Sequence, residues 1–295
     1  LLPTLLLDAG KYERAEAALT RAIEVAPGRE VAPADADLLL ALAEVKLLRK
    51  KNREALPLMI RAIDLRRNSG QAVPESWYKR AAATALANGA FPEAVGLTRN
   101  LVAAFPTHDN WRDAILAYRD AAAADPAARI DALRLLRETK SLAGERDYQL
   151  LAQSLSDAGL NIEARAVLDQ GVAAGMVDPA KATFKELLAS TAKQAATERK
   201  ALAGLEAKAN AATTGTAALT AADAHLGAGQ YAKAAALYQA ALQKGGIDAG
   251  VAATRLGIAH ALAGQKIEAE SAFRSVNGPR TDLGSLWLVW LGQQA

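Results

Sequence analysis

The sequence predicts an all-α protein, built as a solenoid of antiparallel helix pairs, and three observations lead to this prediction. Hydrophobic residues make up 51% of the 295 residues, yet aromatic residues only 5%. Much of the hydrophobic fraction is Ala, which favours helices packed at close range. No long alternating run of Val, Ile or Thr indicates a strand. A Gly followed five positions later by an Ala also recurs along the chain.

This recurring Gly-to-Ala spacing defines a repeat. Its copies are Gly10 to Ala15, Gly89 to Ala94, Gly159 to Ala164, Gly229 to Ala234 and Gly264 to Ala269, with a degenerate copy at Lys50 to Ala55. The Ala positions step by 40, 39, 70, 70 and 35 residues, so two of the steps are double the last one. We therefore expect two eroded copies near Arg129 and Arg199, and about eight units of about 35 residues, a period typical of helical solenoids.

Each recurring residue of the repeat, Gly, Ala or Pro, has a local physical reason for its position. Gly ends the first helix because it adopts the left-handed conformation without a Cβ penalty. We expect the later Ala to lie where the two helices cross closely, since a larger side chain would force them apart. Pro27 and Pro106 close their units, because a helix does not continue through proline.

The clearest unit contains Leu256–Gly257, Gly264, Ala269 and Phe273, and on these positions the sequence resembles the tetratricopeptide repeat family. The segment from Ser76 to Pro106 fits the same pattern. The resemblance implies a right-handed superhelix. We expect one continuous stack over residues 1–295, with the first unit truncated and degenerate units near residues 110–143 and 178–212.

The two ends of the chain give further expectations. The opening "LLPTLLLDAG" begins with Leu1 and reads as a helix cut short, so we expect that upstream sequence is missing. Residues 280–295 predict an apolar C-terminal helix. It would either fold back over the preceding unit or join another subunit or partner, and in the second case Trp287 and Trp290 would form a second interface and allow self-association.

Several classes of function are not indicated by the sequence. The formal net charge is only +3, and the densest basic run, "RKKNR" from Arg49 to Arg53, reads as a solvated turn rather than a nucleic-acid site. The chain has no Cys, and we find no run long enough for a membrane span and no catalytic or cofactor motif. His225 and His260 lie in equivalent places 35 residues apart, and we interpret them as packed residues rather than metal ligands.

The family resemblance implies a binding groove lined by the first helix of each pair. Counting from the Gly of each unit, and by the 35-residue step in the eroded units, gives these candidate partner-binding residues: Ser76, Lys79, Trp111, Tyr118, Arg146, Gln149, Gln153, Lys181 and Phe184. Aromatic and cationic side chains together suit a peptide groove. The alternative is that Trp111 and Tyr118, seven residues apart, are core residues on one helical stripe.

From the sequence we predict a non-enzymatic scaffold that binds a partner protein or peptide. The alternative is a carrier that holds a small apolar or lipid-like ligand in the same concave face. The stretch "GQAVPESWYKRA", from Gly70 to Ala81, resembles parts of tetratricopeptide proteins that accompany outer-membrane transport in Gram-negative bacteria. That likeness favours a bacterial periplasmic location.

Overall fold

The computed structural model describes residues 11–24, 35–122 and 125–294. These residues form 15 α-helices and one short 3-10 helix, with no strand among them. None of the described helices is both long enough and apolar enough to cross a membrane. The chain divides into two compact units, Leu1–Pro106 and Thr107–Ala295. We call them unit 1 and unit 2.

Unit 1 contains five of the described helices, and most of them pack as hairpins. They are α1 (Tyr12–Glu24), α2 (Ala36–Leu48), α3 (Asn52–Asn68), α4 (Glu75–Ala87) and α5 (Phe91–Ala104). Helix α2 pairs with α3, and α4 with α5. Met59, Ile63, Tyr78 and Leu101 lie in the shared core between the hairpins.

Unit 2 contains the other ten described helices and the 3-10 helix. They are α6 (His108–Ala121), α7 (Pro126–Glu138), α8 (Glu145–Asp157), α9 (Asn161–Ala173), α10 (Ala182–Ala211), α11 (Thr216–Gly227), α12 (Tyr231–Lys244), α13 (Ala249–Leu262), α14 (Lys266–Arg274), the 3-10 helix Gly278–Arg280 and α15 (Thr281–Gly292). The pairs α8–α9, α11–α12 and α13–α14 form close hairpins.

The predicted turn is present at every described position where the repeat has its Gly or the substituting Lys50. Gly89 and Gly229 have φ values of 69° and 74°, and Lys50 occupies the same left-handed conformation at 59°. The next residue then donates its N–H to a carbonyl five residues back, as in the 2.9 Å bond from Ala90 N to Ala85 O. This is the Schellman pattern that ends a helix.

The predicted close-crossing alanines are also where the repeat places them. All six are fully buried, with 0% exposure: Ala15, Ala55, Ala94, Ala164, Ala234 and Ala269. Together with the left-handed turns, they confirm the all-α, tetratricopeptide-like arrangement of helix pairs. Gly10 and the opening segment "LLPTLLLDAG" lie outside the described residues.

The two eroded units have different outcomes. Residues 110–143 contain most of α6 and all of α7, and these two helices contact each other. Residues 178–212 do not form a hairpin, because α10 runs without a break for 30 residues. Gln194 occupies the place of the turn Gly, and its neighbours are mostly Ala, Lys, Glu and Gln, which favour helix continuation. The predicted helix pair in this stretch is therefore wrong.

The C-terminal helix α15 folds back within unit 2. Trp287 is 0% exposed and Trp290 is 8% exposed. The Trp287 ring stacks on Phe273 with centroids 5.7 Å apart, and Trp290 meets Trp287 edge-on at 5.3 Å. The second interface predicted at these two residues is thus corrected, since both indoles are core residues of the same chain.

Helix α15 also returns to the beginning of unit 2. It contacts α13 and α14, and also α6 and α7. Trp111 in α6 donates its Nε1–H to Oε1 of Gln293, just after α15, at 3.2 Å. Unit 2 is therefore closed by contacts between its first and last helices.

A buried carboxylate, Asp131 of α7, lies at the centre of this closure. It is 0% exposed and accepts hydrogen bonds from Arg134 at 2.6 Å, from Arg255 of α13 at 3.1 Å and from Arg280 of the 3-10 helix at 2.8 Å. Arg280 also bonds Asp125 at 3.0 Å. One side chain thus connects three segments that lie up to 149 residues apart.

The arginines around Asp131 have further acidic partners. Arg134 forms a two-bond pair with Glu163 of α9, at 2.8 and 2.6 Å. Arg255 donates to Asp223 of α11 at 2.7 Å. Such pairing is needed because a buried charge without a partner is strongly destabilising. Burial alone would raise the pKa of Asp131, but the charges of the neighbouring arginines hold it below its usual value.

We predict that Asp131→Asn lowers the free energy of unfolding of unit 2 by about 3–5 kcal/mol at neutral pH, because the buried arginines lose their shared counter-ion. The measurement is urea unfolding followed by Trp fluorescence. Since the folded-state pKa of Asp131 is depressed, its contribution is present above the unfolded-state pKa and is lost as pH falls through the folded-state pKa. The difference between the two proteins should therefore shrink in acid.

The control for this variant is Asp169→Asn. Asp169 pairs with Arg165 one helical turn away at 2.8 Å, and its side chain is 54% exposed. Its loss should cost less than about 0.5 kcal/mol. Equal costs for the two variants would show that Asp131 does not hold unit 2 together.

Candidate partner-binding site

An open basin lies between α6, the start of α7 and α8, all within unit 2. We call it the α6–α8 basin, and its volume is about 790 Å³. It is lined by Arg112, Leu116, Arg119, Asp120, Arg129, Arg146, Asp147, Gln149, Leu150 and Gln153. Two half-buried leucines give it an apolar component, while most of its lining is charged or polar.

Local sequence signals position the three helices of the basin. Thr107 begins α6, and its side chain accepts the N–H of Asn110 at 3.2 Å. Asp125 caps α7 by accepting the N–H of Ala128 at 2.9 Å, and Pro126 occupies the first helical position. Both are established signals for a helix start.

A bidentate ion pair spans the basin from α6 to α8. Nη2 of Arg112 donates to Oδ1 of Asp147 at 3.2 Å, and Nη1 makes a second, shorter contact with Oδ2. The hydrogen bonds to Asp147 raise the pKa of Arg112. Asp147 also accepts the N–H of Ala143 at 2.7 Å, so this pair fixes one wall of the basin.

The remaining charges of the basin do not balance. Arg119 bonds Asp120 at 2.7 and 2.9 Å, which leaves that pair neutral. Arg129 and Arg146 have no ion-pair or hydrogen-bond partner for their guanidinium groups among the described residues. With four arginines and two aspartates, the lining carries a net charge of +2 (4 − 2). Unpaired guanidinium groups in a concave surface favour carboxylate ligands.

Three of the residues predicted from the sequence lie together in this basin. Arg146, Gln149 and Gln153 occupy one face of α8 and line its wall. Arg146 and Gln153 are exposed, and Gln153 donates to Asp157 at 2.7 Å. Their role in binding a partner remains a prediction.

Trp111 and Tyr118 do not face the basin, and their assignment to the groove was wrong. Each is only 3% exposed, in the core of unit 2. Helix α8 begins 37 residues after α6 (145 − 108), whereas the prediction used a step of 35. With the observed step, Trp111 corresponds to the buried Tyr148, and Tyr118 to the buried Leu155. Burial raises the pKa of Tyr118 to about 12.

The other predicted groove residues lie elsewhere. Phe184 is 2% exposed and belongs to the core, which corrects its assignment. Lys181 is exposed and pairs with Glu145, outside the lining of the basin. Ser76 and Lys79 are exposed on α4 of unit 1, where Lys79 pairs with Glu75 at 2.7 Å.

Three arginines of the basin, Arg112, Arg119 and Arg129, were not among the residues predicted from the sequence. The start of α6 is the signal that could have found Arg112 and Arg119. Pro106 followed by the cap residue Thr107 places the first helical residue at His108. Counting from that start puts Arg112 and Arg119, seven positions apart, on the same face as Leu116.

Two of the three histidines, His225 and His260, are packed and hydrogen-bonded, as predicted. His225 and His260 are 1% and 6% exposed. Each bonds through Nδ1 to a glutamine five residues later, Gln230 at 2.7 Å and Gln265 at 2.6 Å. The described part of the chain contains no group of three or more His, Cys, Asp or Glu side chains that could hold a metal ion.

No protein-family model matches the sequence, and no curated protein matches it. Solved structures do match, and most of those with a stated repeat type are tetratricopeptide repeat proteins. One is a tetratricopeptide repeat protein from Parabacteroides merdae, with 15% identity, a TM-score of 0.36, and coverage of 98% of this chain and 96% of that chain.

Two further solved structures also match with low identity over nearly the full length of both chains. The TPR2AB domain of yeast Sti1, in complex with pHSP90, has 11% identity and a TM-score of 0.32, and covers 99% of this chain and 96% of that one. The C-terminal part of a TPR repeat-containing protein from Cytophaga hutchinsonii has 10% identity and a TM-score of 0.34, with coverage of 97% and 98%. At these identities the likeness concerns the fold alone.

We predict that Trp111→Ala lowers the free energy of unfolding of unit 2 by about 3–5 kcal/mol, because it removes a buried aromatic side chain. The bond to Gln293 is lost with it. Urea unfolding followed by circular dichroism measures the change. The comparison is Arg146→Ala, which should alter stability by no more than about 0.5 kcal/mol, since its side chain is exposed and unpaired. A stable Trp111→Ala protein would show that the indole is not a core residue.

Proposed function

We propose that this chain is a non-enzymatic protein-interaction scaffold, and that the α6–α8 basin binds an acidic segment of a partner protein. The observation that carries the proposal is the pair Arg129 and Arg146. Both guanidinium groups face an open concavity without a partner from the described chain, while the neighbouring Arg112 and Arg119 already have one.

The proposed mechanism is recognition on a largely preformed surface. The bond between Arg112 and Asp147 holds α6 and α8 in register before a ligand arrives, so little ordering is needed on binding. Carboxylates of the partner would pair with Arg129 and Arg146. Apolar side chains of the partner would lie on Leu116, and Gln149 would add hydrogen bonds to its backbone.

The alternative predicted from the sequence, a carrier of an apolar or lipid-like molecule in the same face, is not supported. The basin is open, and it is lined by four arginines, two aspartates and two glutamines. Placing an apolar ligand there would remove water from charged groups without replacing their hydrogen bonds, which is unfavourable. Apolar contacts from Leu116 and Leu150 cover only a small part of the lining.

The test uses fluorescently labelled short peptides in which Glu alternates with Leu, and matched peptides in which Gln replaces Glu. We expect the acidic peptide to bind the full chain, and the neutral one to bind at least about tenfold more weakly. Added salt should weaken the acidic complex, because it screens exposed charges. Fluorescence anisotropy measures both affinities.

The matched variants separate the basin from a general effect of charge. Arg129→Gln combined with Arg146→Gln should weaken binding of the acidic peptide about tenfold or more. Lys185→Gln combined with Lys193→Gln removes the same charge from exposed positions on α10 and should change affinity by less than about twofold. If both double variants lose affinity equally, the basin is not the binding site.

A further inference from the structure

A second cavity lies in unit 2 and shares no lining residue with the α6–α8 basin. We call it the α7–α13 cavity. Its volume is about 230 Å³. Its walls come from seven helices, α7 and α9 to α13 together with α15. The cavity therefore exists because unit 2 is closed, since α15 and α7 are brought to α13 from opposite ends of the unit.

One wall of the α7–α13 cavity is already fully paired. Arg134 and Glu163 line it, and their two bonds of 2.8 and 2.6 Å neutralise each other. Both side chains are buried. This pair is a fixed part of the wall, and its charges are not free to bind a ligand.

Five other polar side chains of the lining keep unused hydrogen-bonding capacity. Nε1 of Trp287 is buried and has no acceptor among the described residues. Arg199, Glu138 and Tyr231 line the cavity, and their side chains have no hydrogen-bond partner in the described chain. Nε of Arg137 donates to Oε1 of Gln170 at 2.6 Å, and the two terminal nitrogens of Arg137 have no acceptor among the described residues.

The unused groups are mostly donors. Arg137, Arg199 and the indole of Trp287 only donate hydrogen bonds, and the Tyr231 hydroxyl also donates. Burial raises the pKa of Glu138, and the nearby charge of Glu138 adds to the effect of burial in raising the pKa of Tyr231. A set of donors of this kind suits a ligand that is rich in acceptors and carries negative charge.

The opposite part of the lining is apolar. It includes Ile258 and Leu262 of α13, Leu226 of α11 and the ring of Trp287. The volume of about 230 Å³ lies below the range of about 300–1,000 Å³ that holds drug-sized ligands. The cavity therefore suits a small molecule with one anionic end and one apolar end.

We propose that the α7–α13 cavity binds a small organic carboxylate. The carboxylate group lies between Arg137 and Arg199, and the apolar body of the ligand lies against Leu226 and Leu262. This site is independent of the proposed binding of a partner protein in the α6–α8 basin. It would give unit 2 a small-molecule ligand in addition to its protein partner.

The test is isothermal titration calorimetry of the full chain with three acids, phenylacetate, indole-3-acetate and hexanoate, each compared with its neutral amide. We expect at least one acid to bind, and its amide to bind at least about tenfold more weakly. The proposal is overturned if none of the acids binds, or if acids and amides bind equally well.

The variants locate the ligand. Arg199→Gln should weaken binding of the acid about tenfold or more, because it removes one of the two guanidinium groups. Arg199 is exposed, so the variant should fold normally. Lys200→Gln is the matched control, since Lys200 is an exposed cation on the same helix that does not line the cavity. Equal losses in both variants would contradict the proposed site.

A last comparison separates this proposal from the proposed function. The double variant of the basin, Arg129→Gln with Arg146→Gln, should bind the acid as tightly as the natural chain does. If it loses the acid while Arg199→Gln keeps it, the acid binds in the basin and the α7–α13 cavity has no ligand of this class.

Discussion

The carboxylate of Asp131, buried in the middle of α7, is the interaction on which the architecture of unit 2 depends. Arg134 comes from its own helix, while Arg255 and Arg280 come from segments far along the chain. A single buried acid is costly to desolvate, and three arginines without it would be costlier still. Burial of Asp131 and of the three arginines is therefore stable only when all four charges pair with one another. That pairing requires α7, α13 and the 3-10 helix to pack together.

This closure determines which surfaces unit 2 has available for binding. The apolar face of helix α15, with its two Trp residues, packs against α6, α7, α13 and α14 and is therefore buried. Two concave sites formed by the described residues of unit 2 are both rich in arginine: the open basin between α6 and α8, and the small cavity beside α13. Charge rather than apolar area is the common chemical property of these two sites.

The sequence predicted the features that depend on local geometry. Gly229 had to be left-handed and Ala234 had to be buried, and both are, because a helix hairpin allows little else at those positions. Prediction from the sequence failed where the position of a residue depends on the length of a loop or on a contact between distant segments. A step of 37 instead of 35 residues moved Trp111 from the groove to the core, and no local signal paired Asp131 with Arg255, 124 residues away. The continuous stack over residues 1–295 remains a prediction.

The most direct test of the closure is a distance between the two ends of unit 2. The chain has no native cysteine, so spin labels attach only at introduced ones, and Asp109→Cys and Gln294→Cys are both exposed and next to the bond between Trp111 and Gln293. Electron–electron double resonance should give one narrow distribution at short distance. An open stack would separate these ends by about 40 Å or more, since packed helices lie about 10 Å apart. A broad or long distribution would contradict the account.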